Sequence, residues 1–125
     1  MRAWITALAL TIALLPSAYA QSTEDLFNKI QFDLDQLDEF GLYLSETGKK
    51  SLSYAFCVPH NRSMIRTIQA IDPTVIFYLQ SSGQAGCNRG EMLAIGHTRQ
   101  PNYREVLTNL TQLDDVERIE QAWSE

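Results

Sequence analysis

The feature that limits the possible folds most strongly is a succession of strand-like and helical apolar segments after residue 51. Four segments have the length and composition of strands, and two repeat apolar residues at helical spacing. The strand segments are 52–58, 75–79, 92–95 and 116–123, and the helical ones are 61–71 and 102–113. The last segment also fits a short helix, and a strand is the preferred interpretation. The order β-α-β-β-α-β is the ferredoxin-like arrangement of an α+β domain. Right-handed crossovers then predict an antiparallel sheet of order 4-1-3-2 with both helices on one face.

Turn and capping residues mark the ends of these segments. Pro59 ends the first strand, and Asn61 is placed to cap the helix that follows it. The Asp-Pro pair at 72–73 ends that helix, because the residue before a proline disfavours helical geometry. Asn102 and Glu105, three residues apart, predict a capping box at the start of the second helix.

A longer helix is predicted ahead of this pattern, over residues 22–46. Two small polar residues begin it, and apolar residues then recur at helical spacing. These apolar residues are Leu26, Ile30, Leu34, Leu37 and Leu44. An alternating, strand-like interpretation of 30–34 competes, but the length of the segment favours the helix. We therefore predict an N-terminal helical unit over 21–48, followed by the α+β domain over 49–125.

Residues 1–20 have the three parts of a bacterial secretory signal. Arg2 is their only charge, an apolar run from Ala3 to Leu15 follows, and Ala18-Tyr19-Ala20 supplies the small residues that a signal peptidase recognises. The run is shorter than the roughly 20 residues that a membrane-spanning helix needs. We expect cleavage after Ala20 and export to the periplasm or the exterior of a bacterium. No later segment is apolar enough to span a membrane.

The net charge of the mature chain excludes some classes of binding partner. Removing 20 of the 125 residues leaves 105, which is enough for one modest core. Because Arg2 is lost, the mature chain has 9 basic and 15 acidic side chains, which gives a net charge of −6. An acidic domain without a basic stripe argues against binding to nucleic acid or to anionic membranes.

The two cysteines, Cys57 and Cys87, are predicted to form a disulfide, because an even cysteine count in an exported chain indicates a cross-link. In the predicted sheet, Cys57 closes the first strand and Cys87 precedes the antiparallel third strand, so both lie at the same end of neighbouring strands. The alternative is a metal-binding or thiol site built from Cys57, His60 and Cys87. Thiolate and imidazole ligands suit zinc or copper, and Cys57 could otherwise act as a nucleophile with His60 as its base.

Two polar loops are candidate binding regions. The segment 81–90 is longer than the roughly two to five residues typical of a hairpin connection. It leads into a strand and not into a helix, which argues against a phosphate-binding loop. The side chains in it best suited to polar contacts are Gln84, Asn88 and Arg89. At the other end of the third strand, His97 and Arg99 precede a predicted helix start, where an anion could bind.

No set of residues defines a convincing catalytic centre. We therefore expect a non-enzymatic, exported binding module, stabilised by one disulfide and without a cofactor or metal. Its expected partner is an envelope or extracellular protein or a small ligand. The alternatives are the metal or thiol protein at Cys57, His60 and Cys87, and a small hydrolase or isomerase that uses His97 and Arg99.

Overall fold

Two antiparallel sheets and two helices make up the computed structural model, which describes residues 28–80 and 85–123. The strands are β1 (Leu42–Ser45), β2 (Gly48–Ser51), β3 (Ser53–Pro59), β4 (Ile76–Tyr78), β5 (Glu91–His97) and β6 (Glu120–Ala122), and the helices are α1 (Arg62–Ile71) and α2 (Tyr103–Thr111). Four strands pair in the order β4-β5-β3-β6, and β1 and β2 form a separate hairpin. The predicted α+β class is confirmed, and the last element is a strand. None of the helices in the described ranges is long and apolar enough to span a bilayer.

Helix α1 begins and ends where the sequence predicts. The side chain of Asn61 accepts a hydrogen bond from the backbone N–H of Met64 at 2.7 Å, which satisfies one of the unpaired amides of the first turn. At the other end, the backbone N–H of Asp72 donates to the carbonyl of Ile68 at 2.7 Å. Pro73 follows and cannot continue the helix.

The start of helix α2 differs from the prediction. Asn102 has a φ of 57°, in the left-handed region, and its side chain makes no capping hydrogen bond. A side chain caps a helix from extended backbone geometry, which places its oxygen over the first free amides. The predicted capping box of Asn102 and Glu105 is therefore wrong.

Residues 28–46 do not form the predicted N-terminal helix. They contain an isolated parallel bridge between Ile30 and Ile119, a 3-10 turn at Leu34–Gln36, and strand β1. The bridge places Ile30 beside Ile119, just ahead of β6, but Leu34 begins the 3-10 turn, so neither the helical nor the alternating interpretation fits 30–34. The remainder of the predicted helix, residues 22–27, lies outside the described residues.

A buried contact at Gly41 explains why a helix cannot pass through this region. Gly41 has a φ of +76°, and a Cβ there would lie 2.2 Å from the carbonyl oxygen of Thr98. The fully buried hydroxyl of Thr98 donates to the carbonyl of Gly41 at 2.5 Å and accepts from the backbone N–H of Leu52 at 2.9 Å. The chain is thereby held against the end of β5 before it enters the β1–β2 hairpin.

The two faces of the four-stranded sheet are covered differently. One face carries the main core, in which Tyr54, Phe56 and Val58 of β3 are buried. The other buried side chains of this core come from all parts of the domain and include Ile68, Met92, Leu107, Leu110, Val116 and Ile119. On the opposite face, Ala85 packs against Ala55 and Leu93. This second face also carries the cysteines.

Candidate functional site

The Cys57–Cys87 disulfide lies at the end of the sheet where β3 leaves and β5 enters. Cys57 stands opposite Leu93 in the antiparallel register of these strands. The Cα atoms of the two cysteines are 5.4 Å apart, and the bridge spans 30 residues of sequence. The predicted disulfide is confirmed, and it ties the connection before β5 to a central strand.

Further contacts hold residues 85–90, named here the pinned segment. Ala85 is buried, and its carbonyl accepts a hydrogen bond from the guanidinium of Arg118 at 2.9 Å. The backbone N–H of Asn88 donates to a carboxylate oxygen of Glu91 at 2.7 Å, and the N–H of Glu91 donates back to the carbonyl of Asn88 at 3.0 Å. The segment is therefore fixed at both ends although its middle is exposed.

Two of the predicted binding residues lie on this exposed middle. Asn88 and Arg89 are both exposed, and an open groove of about 240 Å³ separates them from Gln80. Within the described ranges, the Arg89 guanidinium forms no ion pair. The third predicted residue of this loop, Gln84, lies outside the described residues.

The alternative metal or thiol site is not assembled as predicted. The sulfur atoms of Cys57 and Cys87 are bonded to each other, so neither is a thiolate that could bind a metal or attack a substrate. His60 is exposed, and its backbone N–H donates to the carbonyl of Gly90 at 2.9 Å. A carboxylate oxygen of Glu91, and neither ring nitrogen of His60, comes within 4.8 Å of both sulfurs.

His97 and Arg99 lie at the opposite end of β5. The Nδ1 atom of His97 accepts a hydrogen bond from the backbone N–H of Arg99 at 3.2 Å. Arg99 is exposed and borders an open groove of about 440 Å³ together with Phe40 and Pro101, but His97 does not line this groove. The two residues therefore do not converge on this groove, although the hydrolase or isomerase hypothesis requires a pocket that holds both.

A buried carboxylate network was missed by the sequence analysis. Asp72 is fully buried, and one of its oxygens accepts from the backbone N–H of Thr74 at 3.0 Å, the Thr74 hydroxyl at 2.7 Å and the amide of Gln100 at 3.0 Å. The other oxygen accepts from the Tyr54 hydroxyl. Burial, and then the charge of Asp72, raise the pKa of Tyr54, which keeps this hydroxyl protonated as a donor.

The network leaves no room for a side chain on its neighbour Gly96. A Cβ at Gly96 would lie 2.8 Å from a carboxylate oxygen of Asp72 and 2.9 Å from a ring carbon of Tyr54. The network thus joins the end of α1, strand β3 and the segment after β5 through neutral donors only. Its donors are all engaged, and it acts as a structural link between these elements.

A second carboxylate, Asp38, organises the turn before β1. One oxygen accepts from the backbone N–H groups of Phe40 at 2.8 Å and Leu42 at 3.0 Å, and the other accepts from the ammonium of Lys49 at 2.9 Å. The carbonyl of Asp38 accepts from the hydroxyl of Tyr103 at 2.7 Å. The hydrogen bond from Lys49, followed by that from Leu42, lowers the pKa of the Asp38 carboxyl below 3.8.

We expect Asp38 to titrate below 3.8 in the folded protein and to shift upward in a Lys49→Met variant. Because its folded pKa is lower than its unfolded one, its contribution to stability is present above pH 3.8 and is lost as pH falls through the folded pKa. Carboxyl carbon chemical shifts measured by NMR against pH test this expectation. The matched control is Lys50→Met, which should leave the titration unchanged. Identical Asp38 curves for the Lys49 variant and the unmodified protein would contradict it.

The structure is therefore an α+β domain with one disulfide and with exposed polar side chains at both ends of β5. Comparison of the chain with protein-family models, with curated proteins and with solved structures finds no match.

Proposed function

We propose that this chain is an exported, non-enzymatic binding module whose contact surface is the pinned segment, residues 85–90. The observation that carries the proposal is Arg89, an exposed cation on a segment held by the disulfide and by the Arg118 and Glu91 contacts. A segment that is ordered before binding loses less conformational entropy when a partner docks. Arginine is also well suited to bind a carboxylate or phosphate group through two parallel hydrogen bonds.

Two further observations support the export and architecture in this proposal. The signal pattern of residues 1–20 predicts cleavage after Ala20, and disulfides persist in the oxidising periplasm or outside the cell. The strand order β4-β5-β3-β6 supports the ferredoxin-like arrangement within this module. That arrangement serves many unrelated functions, so the contact surface and not the fold identifies the partner class.

The partner we propose is an envelope or extracellular protein that presents an anionic group to Arg89. The mature chain is acidic overall, with 15 acidic and 9 basic side chains, so most of its surface repels such a group. The pinned segment itself carries one cation, Arg89, and no acidic side chain, and Asn88 beside Arg89 adds a neutral hydrogen-bonding side chain. Attraction at one place and repulsion elsewhere favours a single docking orientation.

The test compares two exposed arginines at opposite ends of β5. Arg89→Ala and Arg99→Ala each remove one guanidinium that forms no ion pair within the described part of the chain. The mature variants are crosslinked in the native envelope, and recovered proteins are quantified by mass spectrometry. We expect Arg89→Ala to lower recovery of the partner about tenfold, because it removes a charge-assisted hydrogen bond. Arg99→Ala should leave the recovery unchanged. Equal recovery by Arg89→Ala and the unmodified protein would show that the pinned segment is not the contact surface.

A further inference from the structure

We propose a second, separate binding site at the opposite end of the sheet, which takes a small monocarboxylate with an apolar body. The site is the open groove of about 440 Å³ between the turn before β1 and the segment that follows β5. We name it the Phe40–Arg99 groove, and its lining residues are Glu39, Phe40, Leu42, Arg99, Gln100 and Pro101. Its volume lies within the range of roughly 300–1,000 Å³ typical of small-molecule sites.

The apolar part of the groove is a phenylalanine ring held out by a rigid turn. Phe40 is 66 % exposed. The turn that carries it is fixed by the Asp38 carboxylate, which accepts from the N–H groups of Phe40 and Leu42, and by the close contact of Gly41 with Thr98. These contacts involve backbone groups, so a polar side chain at position 40 would serve the turn equally well. An exposed aromatic ring on a rigid turn offers an apolar face that the apolar body of a ligand can cover.

The charged part of the groove is Arg99. Its guanidinium forms no ion pair within the described ranges, whereas its backbone is held by His97. The next residue, Gln100, donates from its side-chain amide to Asp72 at 3.0 Å and to the carbonyl of His97 at 2.9 Å. The cation is therefore attached to a fixed segment at the rim of an apolar surface. This pairing suits a carboxylate whose apolar body lies on Phe40.

Glu39 limits the charge of the ligand. It is exposed and lies in the same groove lining as Arg99. Like charges repel, and Arg99 is the cation of this lining, so a second negative charge on the ligand would add repulsion from Glu39 without a second cation to offset it. The groove therefore favours one negative charge over two. The occupant we infer is a free aromatic or short aliphatic acid, and this inference does not depend on the pinned segment at the other end of the sheet.

The probes are 4-phenylbutyrate and its neutral counterpart 4-phenylbutanol, which share one apolar body. Amide resonances of the ¹⁵N-labelled mature protein are followed while each probe is added. We expect saturable shifts at residues 39–42 and 99–101 with the acid, and about five- to tenfold weaker binding of the alcohol. Arg99→Gln should weaken binding of the acid by a similar factor and leave the affinity for the alcohol unchanged. Phe40→Ser should weaken the binding of both probes, because it removes the apolar face that they share.

The matched control is Arg66→Gln, which removes the same charge from an exposed position on α1 and should bind the acid as the unmodified protein does. Four results would overturn the proposal. They are the absence of saturable shifts, shifts that lie outside the groove, equal affinities for acid and alcohol, and unchanged acid affinity in Arg99→Gln. None of these results bears on recovery of a protein partner through Arg89, so the two sites are tested separately.

Discussion

Replacing Asp72 by alanine is expected to lower the free energy of unfolding by about 3–5 kcal/mol. The substitution removes the acceptor for the Tyr54 hydroxyl, which is buried, and for the Thr74 hydroxyl and the Gln100 amide, which are half-buried. Each buried donor without a partner costs roughly 1–3 kcal/mol. Urea unfolding of the mature protein, followed by circular dichroism, measures the loss.

The control for Asp72→Ala is Asp35→Ala, which removes an exposed carboxylate and should change stability by less than about 0.5 kcal/mol. Tyr54→Phe should cost about 1 kcal/mol, since it removes one donor while Asp72 keeps three others. If Asp72→Ala cost no more than Asp35→Ala, the buried network would not link the three elements as described.

The double variant Cys57→Ala, Cys87→Ala is expected to lose about 3.6 kcal/mol of stability. The bridge closes a loop of 30 residues, and the chain-entropy model gives this value for a loop of that length. For a domain of this size, the change corresponds to a melting temperature lower by roughly 15–25 °C. Calorimetry with and without reductant measures it. Both cysteines are replaced so that no lone thiol can pair between molecules.

Reductant supplies the control for the double variant. It should lower the melting temperature of the unmodified protein toward that of the variant, and it should not affect the variant itself. Hydrogen exchange should also accelerate within the pinned segment, because its amides lose the tether that restricts local opening. A melting temperature for the double variant equal to that of the oxidised protein would contradict a stabilising role for the bridge.

The parts of the fold that could be predicted depend on local signals. Helix α1 is marked by Asn61 at its start and by the Asp-Pro pair at its end, and both act within a few residues. The disulfide followed from topology, because antiparallel neighbours bring Cys57 and Cys87 to one end of the sheet. Strands β3, β4 and β5 are short apolar runs bounded by turn residues, which is a local pattern as well.

The parts that could not be predicted depend on contacts between distant residues. Ile30 and Leu34 fit either a helical or an alternating pattern. The pairing of Ile30 with Ile119, at the far end of the chain, replaces the helix at Ile30, and Leu34 begins a 3-10 turn. The contact of Gly41 with Thr98 crosses 57 residues. Neither partner carries a local signal for the other, so the helix predicted over 22–46 is wrong at residues 28–46.

The candidate sites divide in the same way. Asn88, Arg89 and Arg99 were identified from loop chemistry, and the structure places all three on the surface. The Asp72 network was missed because Asp72 already explained the end of α1. Its partners Tyr54 and Gln100 lie 18 and 28 residues away from it. The contribution of Phe40 to a groove with Arg99 likewise arises only when the turn before β1 meets the end of β5.

Export and the disulfide are tested most directly by the intact mass of the protein recovered from the cell envelope and alkylated before and after reduction. We expect a chain that begins at Gln21, takes up no alkyl group under denaturing conditions without reductant, and takes up two after reduction. A chain that retains residues 1–20 would contradict export with cleavage. Two thiols alkylated without reductant, or stoichiometric zinc or copper bound to the protein, would contradict the disulfide-pinned surface and favour the metal or thiol alternative.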